Sequence, residues 1–121
     1  ADIDNAECAK VLLNPSGTIH AFITKRELTD EEKSGFGFGG EAIGFFVLRQ
    51  EDVPRFVTLY ENNEPTYRSV LWEIPFTDFA RNTPLHPWNI TQDGCFEIDT
   101  QEDYSAALDH FQSHPEQYRF P

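Results

Sequence analysis

The sequence predicts an α+β domain, a small and mostly antiparallel sheet of about four strands packed by about three helices. Three observations lead there. Apolar spacing switches along the chain between a helical period and a two-residue alternation. Pro, Gly and Asn cut the chain into short segments. Eleven Phe, four Tyr and two Trp among 121 residues supply a core. The hydrophobic fraction of 39% lies below the usual ~45–50%, but disordered chains are poor in rings and this one is not. One compact domain over residues 1–121 is the natural count for this length.

Each element follows from its residues. The spacing predicts a first helix over Asp4 to Leu13, with Cys8, Val11 and Leu12 on one face, ended by Asn14-Pro15-Ser16-Gly17. Thr18 to Lys25 is rich in β-forming residues and predicts a strand. Thr29 before Asp30, Glu31 and Glu32 has the form of a helix cap with an acidic first turn. Ser34 to Gly40 is expected to be a flexible glycine loop carrying Phe36 and Phe38. Glu41 to Arg49, dense in Ile43, Phe45, Phe46, Val47 and Leu48, predicts a second and central strand.

Asp52 is expected to cap the next helix, with Pro54 near its first turn and Val53, Phe56, Val57 and Tyr60 as its apolar stripe. Asn62-Asn63-Glu64-Pro65 stops it. Thr66 to Ile74 alternates and predicts a strand. Pro75 to Asp93 is expected to be irregular apart from a turn at Thr77 to Arg81. A short strand is expected over Cys95 to Asp99. Thr100-Gln101-Glu102-Asp103 then has the form of a capping box opening a last helix, with Tyr104, Ala107, Leu108 and Phe111 inward and Pro115 as its stop.

Charge narrows the function classes. Acid exceeds base by 21 to 9, a formal −12. Half of that lies in Ile90 to Pro121, where Asp93, Glu97, Asp99, Glu102, Asp103, Asp109 and Glu116 face a single base, Arg119. Such a field repels nucleic-acid phosphates and steers the chain toward cationic surfaces. Neither a membrane-spanning run nor a basic, apolar leader is expected from these residues. The expected compartment is the cytoplasm, or the periplasm or exterior if Ala1 follows a removed signal peptide. Cys8 and Cys95 are either one disulfide, worth about 4 kcal/mol on the chain-entropy model, or two separate small apolar residues in a reducing compartment.

The acidic surface Glu97, Asp99, Glu102, Asp103 and Asp109 is the leading candidate site, because an ordinary solvated helix interleaves both signs. Negative charge at a helix amino terminus alone would account for Glu102 and Asp103. Phe36 and Phe38 are candidate contact residues if their loop displays them, and core residues if it tucks them in. Gly35, Gly37 and Gly40 match a dinucleotide fingerprint in letters only, since no buried strand leads into them and Glu41 stands where phosphate would approach. His110 and His114, one helical turn apart, lack the glutamate of a metalloprotease motif, and no metal, cofactor or catalytic group is assigned. Phe76 to Trp88, with Phe79 and His86, either lines a groove for a small ligand or reaction, or wraps the open side of the sheet.

Size, acidity and an α+β layout closing on Cys95 to His114 (Cys-Phe-Glu-Ile-Asp-Thr-Gln-Glu-Asp-Tyr-Ser-Ala-Ala-Leu-Asp-His-Phe-Gln-Ser-His) resemble the small immunity proteins of bacterial polymorphic toxin systems. The resemblance implies a protein that masks the active site of a cognate toxin, with a basic nuclease as the expected partner. A docking subunit of a larger assembly is a further expectation, with the Phe-rich loop as its contact.

Overall fold

Lys10-Val11-Leu12-Leu13 is too short for a stable helix of its own and is apolar on both sides, which suits a strand flanked by two others. The computed structural model describes residues 3–90 and 96–118. It makes these four residues β1 (Lys10–Leu13), the middle strand of an antiparallel sheet ordered β2-β1-β3, with β2 at Ile19–Ile23 and β3 at Gly37–Glu41. Five helices complete the described residues: α1 Asp30–Gly35, α2 Val53–Asn62, α3 Glu64–Tyr67, α4 Glu73–Ala80 and α5 Gln101–Ser113, followed by a 3-10 turn at Pro115–Tyr118. The class is α+β as expected, 41% helical and 13% strand, with three strands where about four were expected. The chain divides into two compact units, Ala1–Pro87 and Trp88–Pro121.

In the first unit, the expected helix over Asp4 to Leu13 is replaced by turns leading into β1. The Lys10 ammonium is fully buried and donates to the carbonyls of Asn5 at 2.6 Å and Cys8 at 3.2 Å. Val11 packs with Ile19 and Phe22 on one face of the sheet. There it meets a ring cluster in which Phe46 stacks on Phe76 at 3.8 Å and Trp72 meets Phe22 edge-on at 5.3 Å. Helix α1 has the expected cap: the Glu32 N–H donates to Thr29 Oγ1 and the Thr29 N–H donates back to Glu32.

Three further segments differ from expectation. Ser34 to Gly40 is largely strand, because Gly39 lets β3 approach β1 where a Cβ would meet Leu13 and Val11 at 3.1–3.2 Å. Glu41 to Arg49 is irregular beyond β3. Gly44, at φ +77°, turns the chain there; Ala42 and Phe46 go to the core while Phe45 and Val47 remain exposed. Thr66 to Ile74 is no strand, since the pattern that governs it is Trp72, Phe76 and Ala80, a helical spacing. Pro75 lies within the first turn of α4, where a missing N–H costs nothing.

Asp52 precedes α2 but its side chain does not cap it. Buried instead, it accepts from Arg49 Nε at 2.9 Å. Asn63 does mark the end of α2, although α3 follows at once. The buried Tyr67 hydroxyl on α3 donates to Asp78 on α4 at 2.6 Å, and burial with this bond pushes the phenol up to about 12.

Candidate functional site

Thr100 opens α5 as the sequence predicts. Its Oγ1 accepts from the Asp103 N–H at 3.1 Å, and Asp103 Oδ2 accepts from the Thr100 N–H at 2.9 Å and the Asp99 N–H at 3.2 Å. The Thr100 hydroxyl also donates to Asp103 Oδ2 at 2.8 Å, and these bonds, that one foremost, hold the Asp103 carboxyl below its ordinary value. Of the five candidate carboxylates, Asp103 is therefore turned back onto its own helix end. Glu97, Asp99, Glu102 and Asp109 are exposed.

Glu102 and Asp109 are seven residues apart and share a face of α5 opposite Tyr104, Ala107, Leu108 and Phe111. Of that apolar stripe only Ala107 is buried; Tyr104, Leu108 and Phe111 are 41–50% exposed. The expected strand before the helix is absent over 96–99, and Phe96 and Ile98 are exposed. Cys95, with its expected start of that strand and its possible bond to Cys8, lies outside the described residues, as does Asp93. Instead of pairing in a sheet, Phe96 reaches the rings of His110 at 4.8 Å and Phe111 at 6.2 Å.

No Lys or Arg occurs between residues 96 and 118. Among the described residues, none of the five carboxylates makes an ion pair; all eight pairs found lie in the first unit. The uncompensated charge inferred from composition is thus an exposed feature of one short segment and one helix.

Phe36 and Phe38 are half-buried. Phe36 stacks on His20 at 3.9 Å, so the glycine segment neither displays its rings on a mobile loop nor sinks them in the core. His110 and His114 stack at 4.4 Å, and His114 Nδ1 meets the His110 carbonyl at 3.1 Å. Among the described residues, no group of three or more His, Cys, Asp or Glu is arranged to hold a metal ion.

In Phe76 to Trp88, Phe76 and Phe79 fill the core while His86 and Trp88 are exposed. The Leu85 carbonyl bonds to the Ile19 N–H at the sheet's edge. The segment does both things expected of it in part: at Leu85 it wraps the sheet edge, and through Asp78, Phe79, Asn82 and Thr83 it lines a groove. That groove, of about 570 Å³ beside α2 and α4, has its charged groups already engaged, Arg55 with Asp52 and Asp78 with Tyr67 and Arg81. Glu41 belongs to no motif, and its position became readable only once β3 was placed.

Fold and site together define a small α+β chain whose second unit is strongly acidic. No protein-family model, curated protein or solved structure matches it. Among the described residues no helix is long and apolar enough to cross a membrane.

Proposed function

We propose that this chain is an acidic protein-binding module that neutralises a basic partner, acting as an immunity protein that masks the active site of a cognate toxin. A nuclease is the favoured partner class, because a surface built to hold phosphates is cationic and would be attracted to carboxylates. The observation that carries this reading is the exposure of Glu97, Asp99, Glu102 and Asp109 with no base among residues 96–118. The half-exposed Phe96, Tyr104, Leu108 and Phe111 supply apolar area that a partner could bury. Charge then sets the association rate, while apolar burial sets the residence time. The reading requires no cofactor, metal, membrane or direct nucleic-acid contact.

The test is association with basic nuclease toxin domains, any encoded in a neighbouring gene being tried first, measured across salt concentrations. Changing Glu97, Asp99, Glu102 and Asp109 to Lys should slow association at least about tenfold and flatten its salt dependence. Asp103 is left alone because its loss would weaken the helix itself. Unchanged affinity with an unchanged salt slope rejects the reading.

A further inference from the structure

The two edges of the sheet are treated differently. Along β2, the Ile19 N–H donates to the Leu85 carbonyl at 2.8 Å, and the Phe22 N–H donates to Thr77 Oγ1 at 2.9 Å. The Thr77 hydroxyl reaches back to the Phe22 carbonyl at 3.4 Å. That edge is closed by α4 and the segment after it.

Among the described residues, nothing comparable covers β3. The ladder fixes which of its groups face out. The Asn14 N–H bonds to the Thr18 carbonyl, and the Ala42 N–H bonds to the Ala9 carbonyl. Even-numbered residues of β1 therefore turn their backbone groups toward β2, and odd-numbered ones toward β3. Phe38 opposes Leu12 and Glu41 opposes Lys10, so both Phe38 and Glu41 turn N–H and C=O away from the sheet. The register shift between Lys10 and Leu12, absorbed at Gly39 and Gly40, keeps these two residues facing the same way. Among the described residues, neither outward N–H finds an acceptor.

Natural edges are blunted by Lys, Pro, bulges or short length. β3 has the bulge and the short length but neither Lys nor Pro. Its charge is of one sign. Glu41 stands across from Lys10, yet the Lys10 ammonium is spent on the Asn5 and Cys8 carbonyls. Glu41 is exposed and forms no ion pair among the described residues. The same holds for Asp30 and Glu31 on α1, which leads into the strand.

We infer that the β3 edge accepts an extended segment of a partner protein bearing Lys or Arg. The segment adds as a fourth strand on the outward groups of Phe38 and Glu41, with its basic side chains meeting Glu41 and the acids of α1. A second copy of this chain is a poor occupant, because it would bring Glu41 and a formal −12 against their own likeness. The residues that would meet the partner all lie in β3 or α1, so the inference stands apart from the reading of the carboxyl-terminal carboxylates.

The probe is a short peptide alternating Lys with Val, compared with one alternating Glu with Val. Hydrogen exchange on the full chain should show the Phe38 and Glu41 amides protected by the Lys peptide alone. Phe38→Pro removes the outward donor and leaves the ladder to β1 intact; it should weaken binding about five- to tenfold more than Phe38→Ala. If Phe38→Pro does not fold, the exchange data on the native chain decide. No protection of these amides at saturating peptide overturns the inference. So do equal binding of the Glu peptide, protection confined to α5, or protection that rises with protein concentration in the absence of peptide.

Discussion

Each unit carries a formal charge of −6, but the two dispose of it in opposite ways. Residues 1–87 set fourteen acids against eight bases, and residues 88–121 set seven against one. Seven bases of the first unit are in ion pairs: Lys25 with Glu7, Arg26 with Glu32, Lys33 with Asp4, Arg49 and Arg55 with Asp52, Arg68 with Glu64 and Arg81 with Asp78. The eighth, Lys10, is buried against carbonyls. Singly these mostly exposed pairs contribute little to stability. Collectively they cancel much of the local field, so excess charge in the first unit is diluted among paired groups everywhere but at such acids as Asp30, Glu31 and Glu41, unpaired among the described residues. The second unit has nothing to cancel with between residues 96 and 118. Equal net charge can thus mean background solubility in one place and a directed field in another.

The largest effect that could break this contrast is on association. Reversing Glu27 and Glu61, exposed acids of the first unit that form no ion pair among the described residues, should change the rate of binding the basic partner less than about threefold. Reversing only Glu102 and Asp109 should change it more, because their field is uncompensated. Equal effects in stopped-flow measurements would mean that net charge alone matters and its placement does not.

Packing separates the units next. Phe22 is 4% exposed and touches the rings of Phe46 and Trp72, so Phe22→Ala should cost about 3–5 kcal/mol. Phe111 is 42% exposed, and Phe111→Ala should cost about 1 kcal/mol. Urea unfolding of both variants checks the difference. Similar costs would place Phe111 in a core as tight as that around Phe22.

These features were unevenly legible in sequence. The caps at Thr29 and Thr100 were readable because a hydroxyl and a carboxylate three residues on satisfy helix ends locally, with no help from the rest of the chain. The β2 strand and the α2 helix also followed from short-range pattern. What failed was nonlocal. Val70, Trp72 and Ile74 alternate like a strand, yet the site that Trp72 fills beside Phe22 and Phe46 selects a helix running on to Phe76 and Ala80.

Ile43 to Leu48 has strand composition, but one glycine at positive φ turns it away from the sheet. Conversely, Gly37 to Glu41 has poor strand propensity and pairs anyway, because β1 offers Leu13 and Val11 to a backbone without side chains. The candidate carboxylates were legible as charge. That Asp103 serves as a cap, whereas Glu102 and Asp109 do not, came from placing each on its helix.

Acid should weaken the first unit through one identifiable pair. Arg26 donates to both oxygens of Glu32, at 2.7 and 2.8 Å, and chiefly for that reason the Glu32 carboxyl is held down at about 2 from an ordinary 4.5. A carboxylate with a depressed folded value stabilises fully above its unfolded value and loses that contribution as pH falls. The window here runs from 4.5 down to about 2. Glu32→Gln should lower stability by about 1 kcal/mol above that window, a modest figure because the guanidinium is half-exposed and screened. The deficit should vanish at the acid end. A constant deficit across the window would assign the effect to the cap geometry instead of the charge.

The smallest effect is the most local. Thr100→Ala removes the hydroxyl that accepts from the Asp103 N–H and donates to its carboxylate, and should cost about 1 kcal/mol of helix stability. Amide exchange resolves where that loss falls. If the units open separately, protection should drop along α5 and stay unchanged in β1 and β2, whose bonds are made within the first unit. A parallel loss in β1 and β2 would show the chain opening as one cooperative body. The contrast between the units would then be one of surface charge alone, with no separate stability beneath it.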